Sequence, residues 1–181
     1  LITSGWEDNW QYSPEDRTVT AGQDGIPELK LYPVDTDASG NWGTVDIGDA
    51  NNSTADLERQ IREGVNNDDL AEYDGVLELD RLTGSVTLNG DTGVSVGMKD
   101  ALADIVGQQR TIPLYRSVEG TGDTTNFEIV GFAGVRIVDV QLTGGHKYIL
   151  LQPAYVMDPT AVIGRWSNNS YYVTQPIRLV R

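Results

Sequence analysis

Cysteine is absent from the 181 residues, which removes disulfides, thiolate metal sites and cysteine nucleophiles together. Its absence leaves the compartment open, because many exported bacterial proteins also lack it. Histidine is almost as scarce. The single one, His146, follows Gly144-Gly145 in an expected hairpin turn, so no His-rich zinc site can form. A Ser-His-Asp triad would have to use that turn residue, and there is no G-x-S-x-G elbow to present a serine to it. Phosphate-cradling patterns, G-x-x-x-x-G-K-[ST] and G-x-G-x-x-G, are missing as well. Basic residues are few: 13 Lys and Arg stand against 27 Asp and Glu, a formal charge of −14. A nucleic-acid partner needs its phosphates neutralised, and this charge does the opposite. It also opposes docking on an anionic membrane surface. No apolar run approaches the ~18 residues that cross a bilayer, and no basic segment followed by an apolar one marks a signal peptide at the start. The chain opens on Leu1-Ile2-Thr3 rather than Met, and the expectation is a processed or excised piece whose anchor or export signal lies upstream.

What is present is turn-rich. Twenty glycines and many Asn, Asp, Ser and Thr separate short apolar runs, the composition of a chain with many turns and few long helices. Apolar residues make up 39%, enough for one ordinary core. Residues 1–28 are expected to be an irregular aromatic arm, and 29–181 a single domain.

Within that domain, ELKLYPV and GNWGTVDIG (40–48) read as short strands. Ser53 or Thr54 caps a helix, with Asp56 in a capping-box-like position, Leu57, Ile61 and Val65 on its apolar face and Gly64 at its end. A helical turn is expected over Asp68–Tyr73, then strands VLELD and SVTLNG. Ser95 is the expected cap of a second helix reaching Val106, with Met98, Leu102, Ile105 and Val106 as its buried stripe and Gly107 as its stop. TIPLYRSV (111–118), NFEIVGFAG and VRIVDVQL (together 126–142) and KYILLQPAYV (147–156) are rich in β-branched residues. They are expected as consecutive antiparallel neighbours, with a bend or bulge at Gly131 and Gly134. Tyr171–Val173 and Ile177–Val180 follow as strands. The fold class is therefore α+β: a mainly antiparallel sheet or half-barrel of about eight strands with two or three short helices.

Over residues 40–142 the order of motifs resembles the C-terminal extracytoplasmic domain of TadE/TadG-like Flp (tight-adherence) pilus-assembly proteins. The residues that carry the resemblance are GNWGTVDIG, then LERQIREG, then NGDTGVSVGMKDALADIVG, then RTIPLYRSVEGTGDTTNFEIVGFAGVRIVDV, in order and at similar spacing. The resemblance implies an exported globular part behind one N-terminal membrane segment, located at the cell surface. It implies work in pilus assembly or a surface filament through protein subunits, self-association included. It supplies no catalytic residue.

Two constellations invite a ligand. In D-T-D-A-S-G-N-W-G-T-V-D, the residues Asp35, Asp37, Ser39, Gly40 and Asp46 occupy positions 1, 3, 5, 6 and 12 of a calcium loop. Against calcium, the flanks read as strands rather than helices, and Asx-rich turns between strands commonly bind nothing. In the arm, Trp6, Trp10 and Tyr12 are large aromatics on a terminus. They either pack the arm onto its own domain or dock it on another subunit. Three functions follow: a non-enzymatic surface or assembly protein; a calcium-dependent module binding a surface glycan or protein; and a hydrolase, for which no paired carboxylates stand out on apolar strands.

Overall fold

A computed structural model describes residues 11–13, 18–20, 27–32, 43–48, 53–92, 94, 96–144, 147–158, 170–171 and 173–174. The strands are β1 (Gln11–Ser13), β2 (Thr18–Thr20), β3 (Leu29–Tyr32), β4 (Gly43–Val45), β5 (Val86–Thr92), β6 (Gln109–Glu119), β7 (Thr125–Gln141), β8 (Tyr148–Pro153), β9 (Val156–Met157), β10 (Ser170–Tyr171) and β11 (Val173–Thr174). The α-helices are α1 (Thr54–Glu63) and α2 (Lys99–Asp104).

β7 organises the sheet. One of its edges is taken by β6, antiparallel from Gln109↔Arg136 to Glu119↔Asn126. The same β7 residues pair on the other edge with three different strands. β5 holds Thr125–Ile129, β10 holds Phe132–Ala133 in parallel, and β8 holds Val135–Gln141. β4 extends β5 and β3 extends β8, which completes a seven-stranded, mostly antiparallel open sheet. β9 and β11 form a separate parallel pair.

Alternation along β7 puts Phe127, Ile129, Val135 and Ile137 on the core side, as the period of two requires. The core has two centres. Leu88, Phe127 and Ile129 form one, with Tyr73, Leu77 and Leu79 packed against it. Ile105, Val135, Ile137, Leu142, Ile149 and Leu151 form the other, covered in part by Ile61 and Leu102. Over the first centre the sheet comes unusually close to the Phe127 ring. A Cβ on Gly43 would sit 2.7 Å from that ring and one on Gly90 2.9 Å from it, so only glycine fits at these positions of β4 and β5.

α1 forms where its caps dictate. The Asp56 backbone N–H donates to Ser53 Oγ at 3.1 Å, and that hydroxyl donates to Asp56 Oδ2 at 2.7 Å. Gly64 closes the helix at φ 87° with its N–H on Gln60 O, as anticipated. Arg110 of β6 donates to the C-terminal carbonyls of Ile61 and Arg62 at 3.1 and 3.0 Å, satisfying groups a helix end leaves open. Arg62 bridges to Asp104 of α2 at 2.8 Å.

Several expectations need correction. Of the expected antiparallel sheet or half-barrel of about eight strands, the described residues form the open, mostly antiparallel sheet, with seven strands, and β6 and β7 are longer than expected. NFEIVGFAG and VRIVDVQL are one strand, β7, rather than neighbours: no turn pair interrupts them, and curvature is absorbed by bulges. Pairing skips Val130 beside Gly131, and Val138 opposite β8, but runs unbroken through Gly134. VLELD (76–80) is not a strand, although Leu77 and Leu79 do face the core. The second helix is shorter: a 3₁₀ turn over Val96–Met98 precedes α2. Val106 lies beyond the helix and is 40% exposed, while Met98 and Ile105 are buried. Within the arm, β1 and β2 pair antiparallel, a hairpin where irregular chain was expected. The expected strand at 177–180 lies outside the described residues.

Candidate functional site

The polar centre of the molecule lies where β4, α1 and the turn after α1 meet. Asp46 follows β4 directly and is 2% exposed, its N–H on Asn89 O of β5 at 3.3 Å. Burial of a carboxylate is costly unless donors meet it. Gln60, on the face of α1 that meets this strand end, supplies one: its Nε2 donates to Asp46 Oδ1 at 3.0 Å and to Ile47 O at 2.9 Å. Its Oε1 accepts from the Ile47 N–H at 3.2 Å. One side-chain amide thus reads both backbone groups of Ile47, as a neighbouring strand would.

Asp69 completes the centre from the other side. Arg59 grips its carboxylate with both terminal guanidinium nitrogens, NH1 at 3.1 Å from Oδ2 and NH2 on Oδ1. The Asn66 N–H donates to Oδ2 at 2.8 Å, and Asn66 Oδ1 accepts from the N–H groups of Asp68 and Asp69. Burial pushes the Asp69 carboxyl up, but the hydrogen bonds from Arg59 and Asn66 outweigh it and hold the acid below its ordinary range. Gly48, at φ 120°, lies so close that a Cβ there would meet Asp69 Cα and O at 3.2 Å. Above these groups lies an open concavity of 380 Å³, rimmed also by Asp56, Asp68 and Glu72. A second, of 250 Å³, lies on the sheet between Thr87, Ser117, Glu119, Asn126 and Glu128. There Arg116 and Ser117 draw the Glu128 carboxyl down to about 2.

Asp46, expected as the closing ligand of a calcium loop, accepts a hydrogen bond from Gln60 of α1. Asp35, Asp37 and Ser39, its expected companions, lie outside the described residues, as do Trp6, Trp10 and His146. Tyr12 belongs to β1. Among the described residues no three Asp, Glu or His side chains are grouped to hold a metal ion. Sequence reading missed Arg59, Gln60, Asn66 and Asp69. For Arg59 and Gln60 the only advance signal was polarity on the inner half of LERQIREG, next to Leu57 and Ile61, where an apolar stripe alone was sought. The chemistry of the cluster is that of a clasp: two acids, a guanidinium and two amides, turned onto backbone or onto one another.

No family model, no curated protein and no solved structure matches the chain. Among the described residues, no helix is long and apolar enough to cross a membrane.

Proposed function

We propose that this protein is a non-enzymatic component of a bacterial cell-surface assembly, exported and anchored through an upstream segment, and that it works through contacts between folded protein subunits. This is the role implied by the TadE/TadG-like order of motifs. Two of those motifs meet in space: Asp46 and Ile47 of GNWGTVDIG are held by the Gln60 side chain of LERQIREG. A structural clasp explains why such segments would go together without any catalytic residue among them.

The observation that carries the reading is the exposure of Tyr155, Met157 and Tyr171, at 69, 67 and 57%. Aromatic and thioether side chains are enriched at protein interfaces and depleted on surfaces that stay wet. Light scattering across protein concentration, at low and moderate salt, tests it. Association is expected, stronger at moderate salt because a charge of −14 repels its own copies until screened. It should weaken when Tyr155, Met157 and Tyr171 are replaced together by Ser, and also when residues 1–12 are removed, if the aromatic arm docks on a neighbour. A strictly monomeric protein whose variants behave identically would overturn the reading.

A further inference from the structure

β10 and β11 are held to the rest of the fold by very little. Ser170 and Tyr171 pair with Phe132 and Ala133 of β7, and Val173 and Thr174 pair with Val156 and Met157 of β9. Both ladders are parallel, the weaker arrangement per residue, and each is shorter than an ordinary strand. Yet their place in the sheet matters. β5 leaves β7 at Ile129 and β8 joins it at Val135. Among the described residues only β10 covers the edge between them, and a bare edge there would be an open pairing site.

The walls of this wedge belong to the main body. Past β8, the Ala154 N–H still donates to Gly134 O of β7 at 3.0 Å. Just after β9, Asp158 accepts from Thr111 Oγ1 of β6 at 3.3 Å. Residues 159–169 then separate Asp158 from Ser170. A chain of that length spans up to roughly 40 Å when extended, so Ser170 has the reach to enter the wedge of a neighbouring copy as well as its own.

We propose that β10 and β11 exchange between two copies of this chain, each filling the other's wedge between β7 and β9. The proposal rests on the reading of the protein as one that works through subunit contacts. It names the partner, a second copy, and the way the two are joined. A second copy is the occupant because its wedge is already matched to these residues: every pair broken in leaving one body is remade in the other. The balance between closed and exchanged forms is then set by the new contact between the bodies. Tyr155 precedes β9, Met157 ends it and Tyr171 ends β10, and all three are exposed, so apolar surface stands at the junction itself. Reciprocal exchange closes a two-fold dimer, whereas exchange passed head to tail extends into a filament.

The chain has no cysteine of its own, so disulfide trapping reads the exchange directly. Val156→Cys and Val173→Cys, at paired positions, are made in separate chains, mixed, incubated and mildly oxidised; paired residues of neighbouring strands lie within disulfide range. A covalent dimer linked 156–173 is expected in peptide mass maps. Its yield should rise with protein concentration and with moderate salt, and exceed the dimers that either chain forms alone. Met157→Cys and Thr174→Cys, the next pair, repeat the measurement if a first variant loses the parent's circular dichroism. Val156→Cys and Val173→Cys in one chain, oxidised at high dilution, lock the strand to its own body. Light scattering should then show loss of association, restored by reduction. Absence of the mixed dimer while the parent still associates, or a locked chain that associates like the parent, would overturn the exchange and leave the contact function standing. A parent that stays monomeric at every concentration would overturn both.

Discussion

Gly90→Ala examines the closest approach in the fold. The added methyl would lie 2.2 Å from Thr44 O of β4 and 2.9 Å from Phe127 Cε2. The ring can tilt away, but the carbonyl belongs to the backbone of a strand paired Val45↔Gly90, so β4 must move. Overpacking of a tight core costs about 1–3 kcal/mol. Part of the ladder that leads to Asp46 is lost as well, and one hydrogen bond adds ~1 kcal/mol. We expect a loss of about 3 kcal/mol, which for a chain of this size lowers the melting temperature by roughly 6–12 °C. Urea melts followed by far-UV circular dichroism would measure it. Combining Gly90→Ala with Phe127→Leu separates the two obstacles: the shortened ring should restore no more than about 1 kcal/mol, because the carbonyl clash remains. A loss below ~1 kcal/mol for Gly90→Ala alone would refute the argument, since surface changes of no consequence fall in that range. Full rescue by Phe127→Leu would show that the ring, not the strand, sets the limit.

Arg59→Ala leaves the Asp69 carboxylate buried with fewer donors and should cost about 2–3 kcal/mol at neutral pH, less than a fully buried pair because Arg59 is partly exposed. Because the folded acid is held below its unfolded value, this contribution is present above the ordinary carboxylate range. It disappears as pH falls through the folded value, so parent and variant melts should converge in acid. For Glu128, whose carboxyl lies at about 2, an NMR titration should show the group ionised through pH 3; Arg116→Ala should move its midpoint up toward ~4.3, the ordinary glutamate value. A midpoint unchanged by that substitution would remove Arg116 as the cause. Leu57→Ala, at a site 3% exposed, should cost about 2–5 kcal/mol, whereas Leu82→Ala should stay within about 0.5 kcal/mol.

What could be read in advance depended on how local the cause was. Ser53, Asp56 and Gly64 announced α1 because a cap involves residues three or four apart. β6, β7 and β8 announced themselves through β-branched runs. The extent of β7 did not: glycines that suggest a break do not enforce one, and only the partners of a strand decide whether it continues. VLELD alternates like a strand yet finds no ladder, because alternation reports which residues face a core and not whether a neighbour is present. Val106 failed for a related reason: its place in the stripe assumed a helix that ends at Asp104. The Asp46–Gln60–Asp69 centre was illegible because its members come from three segments, and each is an ordinary surface residue by type. Spacing along the chain singled out Asp46 but could not announce its bond to Gln60, which comes from a helix that follows it.

The shared edge of β7 has a bearing on how the chain is made. β6 precedes β7 by a short turn and can pair with it as soon as both exist. On the opposite edge, β5 comes earlier in the chain, β8 later, and β10 only at Ser170–Tyr171. During synthesis Phe132 and Ala133 therefore wait with that edge uncovered until Ser170 and Tyr171, roughly forty residues further on, have emerged. Such an edge can pair with another nascent chain. Folding of this protein should accordingly be slow, non-local and sensitive to crowding by its own copies, and truncations that remove Ser170 and Tyr171 should aggregate before they lose secondary structure.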